Sequence, residues 1–297
     1  GTGSGGMVNA PYVVSILDAL KEHTDITINE ELLHTYEKWI KEHPFNKGKG
    51  WASEPWCQEE MEVPEELAIK AASQSDLALV IIGRSAGEDQ DNSVTRGSYL
   101  LTEKEERMIA NVCKSFKRVA VVLNVGNVID MSFVTQYHPQ AVLYAWQGGM
   151  EGGHGVVDVL TGAVSPSGKL SDTIAYDIKD YPSTKDFGDE VRNYYREDIY
   201  VGYRYFETAA KDRVQYPFGF GLSYTQFTYT LKNFYTDNKT VNVIMTVKNI
   251  GDVAGKEVIQ VYNRPPQGAL YKPTRNLCGF AKTRELNPGE TEDLNIS

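Results

Sequence analysis

The sequence predicts an α/β layer domain built on a mainly parallel sheet, followed by an incomplete β-sandwich. Two observations carry the first part. Short, nearly uninterrupted apolar runs at 77–83, 118–124 and 140–146 read as buried parallel strands. Segments with helical spacing alternate with them, as βα units require. The third observation is a change of pattern from Phe227 onward, where Val241, Val243, Met245 and Val247 alternate with mostly polar neighbours, as in a half-buried strand.

Taken in order, Val13, Ile16, Leu17 and Leu20 recur with helical spacing after Pro11, a favoured helix-start residue. Leu32, Leu33, Tyr36 and Ile40 repeat the pattern over 28–43. Residues 44–62, with Trp51 and Trp56, read as a surface excursion, and Pro64 opens a third helix. After the strand at 76–83, Thr102 and Glu105 form a capping box that starts a helix reaching Phe116. Helices are expected again at 128–137 and 149–160. Turn residues at 162–168 break the alternation. The aromatic-rich stretch 198–205 is expected to pack as a strand. Residues 249–252 form a turn, after which 256–262 should return as the partner of the strand at 241–248. The end, 291–297, looks like a strand cut partway. The start, 1–6, is glycine-rich with no strand before it and reads as a tight turn. It lacks the ending of a P-loop and does not match a dinucleotide fingerprint. Both ends suggest an excerpt of a longer protein.

The 297 residues carry 41% hydrophobic content, enough for two packed domains. A formal net charge of -10 argues against nucleic acid and anionic membrane surfaces as partners, and would not impede a neutral sugar. No apolar run approaches the roughly 20 residues that span a bilayer. Cys57, Cys113 and Cys278 are too far apart for a disulfide framework or metal-ligand spacing. A reducing compartment is compatible, and a cytoplasmic setting is slightly favoured, with any targeting segment outside the chain. The histidines His23, His34, His43, His138 and His154 show no metal-binding pattern, and no cofactor is implied. Self-association into a homo-oligomer stays open.

Chemistry concentrates just beyond the first apolar run. Gly83 is followed by Arg84 and then by Glu88, Asp89 and Asp91. In open α/β sheets, ligands bind in the crevice beyond the carboxyl ends of the strands. A proton-donating carboxyl and a solvated acidic loop are both open from these residues alone. Neighbouring like charges at Asp89 and Asp91 would raise the pKa of Glu88, and Arg84 and Arg96 would oppose them. Trp146, at the end of another strand, either stacks on a sugar or packs in the core. Gly148, Gly149, Gly152 and Gly153 suit close strand-to-helix packing.

Several motifs then agree in order: Gly3-Ser4-Gly5, Gly87-Glu88, Leu123-Asn124-Val125-Gly126 and Ala145-Trp146-Gln147-Gly148-Gly149-Met150-Glu151. Pro166-Ser167-Gly168-Lys169-Leu170, Gly202-Tyr203-Arg204-Tyr205 and Phe218-Gly219-Phe220-Gly221 follow, then Val247-Lys248-Asn249 and Gly279-Phe280. Through most of its length the chain resembles the C-terminal half of glycoside hydrolase family 3, the β-glucosidase and β-xylosidase family. The resemblance implies an α/β sandwich at 1–225, lacking its first strand, and a truncated fibronectin type III-like domain at 226–297. It implies a TIM barrel elsewhere in the same protein, carrying the nucleophilic Asp, because no segment here matches a barrel. It places the general acid/base on Glu88, with Arg84, Asp91 and Trp146 as supporting or substrate-binding residues. The implied activity is removal of terminal β-linked glucosyl residues with retention, from a β-glucoside or cello-oligosaccharide. The alternatives are a β-xylosidase or arabinofuranosidase, or a non-catalytic carbohydrate-binding or scaffold module.

Overall fold

The computed structural model describes residues 10–50, 53–85, 91–189, 191–237 and 239–297, with the backbone alone at Thr2–Gly3 and Gly6–Met7. It divides into two compact units, Gly1–Val157 and Asp158–Ser297.

The first unit begins with a short antiparallel pair, β1 (Thr2–Gly3) and β2 (Gly6–Met7). Helices α1 (Ile16–Glu22), α2 (Glu30–Glu42) and α3 (Glu65–Ala72) follow, then β3 (Ala78–Gly83), α4 (Glu103–Ser115) and β4 (Val119–Asn124). It continues with α5 (Ser132–Tyr137), β5 (Ala141–Tyr144) and α6 (Gly152–Thr161), within which the division falls. The three longer strands form a parallel sheet in the order β3-β4-β5. β4 is central and buried from Val119 to Leu123, which is what a continuous apolar run on both faces demands.

β3 departs from the expectation of full burial. It is an edge strand, with Val80 and Ile82 buried and Ile81 38% exposed on the other face. The helix starts are set by side chains. Thr102 accepts from the Glu105 amide while Glu105 accepts from the Thr102 amide, the expected capping box. Ser15 and Asp18 form a second capping box, so α1 starts after Ser15 and not at Pro11. Asp130 accepts from Ser132 and holds α5 to a later start than the 128 expected.

The second unit opens with irregular chain and a small antiparallel pair, β6 (Ile174–Ala175) with β7 (Val214–Tyr216). Between these strands lies helix α7 (Tyr203–Ala209), where the sequence reading expects a strand over 198–205. The alternating aromatics mislead there. Gly202 at φ 57 breaks the extended run and caps the helix. Phe206 and Ala210 then fall on one helical face against Ala175, Tyr181 and Val214.

The remainder is all-β: β8 (Phe227–Asp237), β9 (Thr240–Asn249), β10 (Val258–Asn263), β11 (Asn276–Lys282) and β12 (Thr291–Ile296). One antiparallel sheet has the order β12-β9-β8, and β10 pairs with β11 in a second. β10 therefore does not return beside β9, as the turn at 249–252 suggests. Val247, Leu286 and Leu294 are buried together, with Phe227, Ile259 and Ala281 packed on them. The crossing is fixed by Asn249, fully buried, whose amide donates to the carbonyls of Val253 and Leu286 and whose Oδ1 accepts from Thr225. Among the described residues no helix is long and apolar enough to cross a membrane.

Candidate active site at the carboxyl edge of the parallel sheet

Parallel register brings three strand ends side by side. Gly83 pairs with Asn124, and Leu123 with Tyr144, so Arg84, Asn124 and Trp146 stand along one edge. Helical crossovers leave this edge free for loops, and in this architecture it is where ligands bind.

The loop leaving β3 is pinned at its first residues. The Arg84 amide donates to the Asn124 carbonyl at 3.1 Å, and the Ser85 amide to the Trp56 carbonyl at 2.6 Å. The Arg84 side chain turns inward and is 7% exposed. Its Nη1 and Nη2 meet both oxygens of Glu105 at 2.6 and 2.8 Å, a fork-to-fork pair that suits planar groups. Nε donates to the Ser98 carbonyl at 3.0 Å and Nη1 also to the Gly83 carbonyl at 2.7 Å. Two buried charges so close are tolerable only when their remaining hydrogen-bonding capacity is used, and here it is.

The far side of the loop is held as well. Asn92 donates through Nδ2 to the Val128 carbonyl at 2.7 Å, while its Oδ1 accepts from the Ser98 hydroxyl at 2.9 Å. That hydroxyl accepts in turn from the Ser93 amide. Gly97 at φ 87 completes the turn, and a Cβ there would lie 2.6 Å from the Cys57 sulfur. Burial pushes the Cys57 thiol above its ordinary pKa, so it stays protonated packing.

Glu88 and Asp89 fall within 86–90, outside the described residues. Asp91 is exposed. Among the described residues Arg84 pairs with Glu105, and Arg96 with Glu106 at 2.7 Å. Arg84 is thus buried at the end of β3, held by Glu105 and the carbonyls around it. Trp146 is half-buried at φ 56, a left-handed conformation unusual for a bulky residue, and its ring lies 4.5 Å from that of Tyr144. Tyr144 is fixed by a hydrogen bond from its hydroxyl to the Asn127 carbonyl at 2.8 Å.

Sequence reading missed Glu105 as the partner of Arg84, because its capping role already accounted for it. Asn92 and Ser98 carried no separable signal. Trp56, read as part of a surface excursion, lies half-buried against the loop root, its indole nitrogen buried without a hydrogen-bond partner among the described residues. Trp51 lies outside them. Of the glycines at 148–153, Gly149 and Gly152 have open space where a Cβ would stand, Gly148 lies against Gly152, and Gly153 allows the close approach of the chain before α1. A Cβ on Gly153 would lie 2.2 Å from the Ser15 carbonyl oxygen.

Residues 1–224 match the family model described as "Glycosyl hydrolase family 3 C-terminal domain". The chain belongs to glycoside hydrolase family 3. Residues 257–297 match a fibronectin type III-like domain. A β-glucosidase of Ruminococcus albus is 53% identical over 296 residues, covering 100% of this chain and 31% of that protein. β-Glucosidase A of Butyrivibrio fibrisolvens is 38% identical over 341 residues, covering 100% of the chain and 40% of the relative. The crystal structure of a Paenibacillus barengoltzii β-glucosidase superposes with a TM-score of 0.95 at 53% identity, over 100% of this chain and 33% of that one. β-Glucosidase 3B of Thermotoga neapolitana in complex with glucose superposes at 0.91 with 37% identity, over 99% of this chain and 42% of that one. The family 3 chain therefore spans 31 to 40% of the length of these two curated relatives.

Proposed function

We propose that this chain is the acid/base-bearing part of a retaining, exo-acting β-glucosidase that removes terminal β-linked glucosyl residues. The observation that carries the reading is 53% identity over the whole chain to a protein named β-glucosidase. The rigidly rooted loop at the carboxyl edge of the sheet supports it.

Retaining glycosidases use two carboxyl groups about 5–5.5 Å apart, one attacking the anomeric carbon and one protonating the leaving oxygen. In this reading Glu88 is the second group. It donates its proton to the leaving alcohol, then takes one from the water that hydrolyses the glycosyl-enzyme. The nucleophile is an Asp on a TIM barrel of the same protein. Arg84 acts through Glu105 and the Ser98 carbonyl as a positioning residue. Asp91 supports the loop, and Trp146 offers an aromatic face to the sugar. The α/β sandwich runs over 1–225 and the fibronectin type III-like domain over 226–297, a reading supported by the end of the first matched region at 224.

Kinetics of the complete enzyme test the role of Glu88. Glu88→Gln should slow cello-oligosaccharides by about 10²–10⁴-fold, the usual contribution of a general acid. Aryl glucosides with activated leaving groups, which need no proton, should lose far less. Azide should restore turnover to Glu88→Ala by replacing the water step. Equal losses on both substrate types, with no azide rescue, would remove Glu88 from the role.

A further inference from the structure

In the second unit, the segment 264–275 joins β10 to β11 and is far longer than the two to five residues of an ordinary hairpin loop. Together with α7 and the residues before it, this segment encloses an open cavity of about 530 Å³, within the size range of small-molecule sites. We propose that the cavity binds an oligosaccharide bearing a carboxylate, a uronic-acid branch or terminus.

Charge is the first argument. The lining includes Arg264 and Lys272 and contains no carboxylate, although the whole sequence has a net charge of -10. Arg264 is exposed and has no ion pair or hydrogen bond among the described residues. Its neighbour Arg275, by contrast, is paired with Glu207 at 2.5 Å. An unpaired guanidinium on a concave surface is a ready fork for a carboxylate.

Shape is the second. Tyr200 and Tyr271 line the same cavity, and Tyr271 is 84% exposed. A phenol ring offers an apolar face to a pyranose and a hydroxyl at its tip. Thr274 adds a short polar group beside the rings, and Thr208 and Gln267, also in the lining, are used in shaping the loop.

Preorganisation is the third. Gln267 holds the loop closed, its Nε2 donating to the Lys272 carbonyl at 3.1 Å and its Oε1 accepting from the Lys272 amide at 3.0 Å. Lys272 Nζ donates to the Pro266 carbonyl, and the Thr274 amide to the Thr208 hydroxyl at 2.9 Å. The Leu277 amide donates to the Tyr203 hydroxyl at 2.7 Å, tying the start of β11 to α7. A long loop fastened at so many points loses little further freedom on binding.

The choice of a glycan as ligand rests on the carbohydrate chemistry proposed above, but the test does not. Calorimetry on the 297-residue chain, with folding of each variant checked by circular dichroism, would use a methylglucuronosyl xylotriose, neutral xylotriose and inorganic phosphate. The acidic sugar should bind about tenfold or more tightly than the neutral one, as one charge-assisted hydrogen-bonded contact allows. That difference should shrink as salt is raised. Arg264→Gln should abolish the preference for the acid, and Tyr271→Ala should weaken both sugars. Equal affinity for both sugars, no binding at millimolar concentration, indifference to both substitutions, or phosphate binding as tightly as the acidic sugar would each overturn the proposal. The readout is binding without hydrolysis, so its failure leaves the role of Glu88 standing, and the reverse holds too.

Discussion

At Arg84 the shape of the cation matters as much as its charge. The guanidinium satisfies both oxygens of Glu105 and the carbonyls of Gly83 and Ser98 at once. A lysine would keep the charge but has one nitrogen and no fork. Arg84→Lys should therefore cost about 1–3 kcal/mol through carbonyls left buried and unpaired. Urea denaturation would measure the loss. Amide exchange should quicken first at Tyr99 and Leu100, which close the turn beneath the loop through Ser93 and Thr95. Unchanged exchange at those amides would mean that Arg84 does not anchor the loop. Trp146 shows a different constraint, since a φ of 56 costs on the order of 1–3 kcal/mol in a non-glycine residue and survives only where its surroundings enforce it. None of this was visible from residue type: an arginine beside three acids reads as their partner, and only the fold reveals that it faces a fourth.

Elements were legible where local signals agreed with packing. The capping box at Thr102, the apolar run of β4 and the strand β9 each appear where the spacing put them, although the alternation of β9 breaks at its start, where Val241 is exposed and Asn242 buried. The misses came where tertiary context decided. Aromatic alternation at 198–205 gave way to α7 once Gly202 turned the chain, and strand pairing after 252 followed the buried ties of Asn249 instead of sequence adjacency. Between α1 and α6 the helices are also joined through charge. His154 on α6 lies between Glu22 on α1, at 2.8 Å, and Glu151, at 2.6 Å, and Glu151 accepts a further bond from Tyr12. Glu22 first, and Glu151 after it, hold the imidazole above its ordinary range. Bonds from Tyr12 and His154 hold the Glu151 carboxyl below its own. A raised imidazole pKa stabilises fully below about pH 6.5, the unfolded value, and the effect is lost as pH climbs through the folded one. The lowered Glu151 acts oppositely, present above about pH 4.3 and lost as pH falls through its folded value. The bridge should thus be tightest in mildly acidic solution. An NMR titration of His154 should show a raised midpoint that drops in Glu22→Gln and drops further when Glu151→Gln is added. A midpoint insensitive to both changes would mean the bridge does not form in solution.

Across the second unit, one acid joins three parts of the chain. Glu257 pairs with Lys169, from the loop after α6, at 2.9 Å and accepts from the Tyr229 hydroxyl on β8 at 3.1 Å. It also accepts from the amide of Val258, the first residue of β10, at 2.6 Å, while its own amide donates to Thr283. The two sheets and the 165–170 loop therefore meet at a carboxylate that is 7% exposed. Such a residue has no sequence signature, because its partners are separated by tens of positions and each carries an unremarkable local pattern. Removing it should be felt by all three at once. Glu257→Leu leaves Lys169 half-enclosed without a counter-charge and should cost about 3–5 kcal/mol, whereas adding Lys169→Met should recover most of that. Glu257→Gln separates charge from hydrogen bonding. Burial first, then the charge of Glu257, pushes the Tyr229 phenol up to about 12. With the charge gone and burial retained, that titration should fall part of the way toward an ordinary tyrosine and stop above it. A full return would assign the shift to Glu257 alone, and no movement would show that the carboxylate and phenol do not meet.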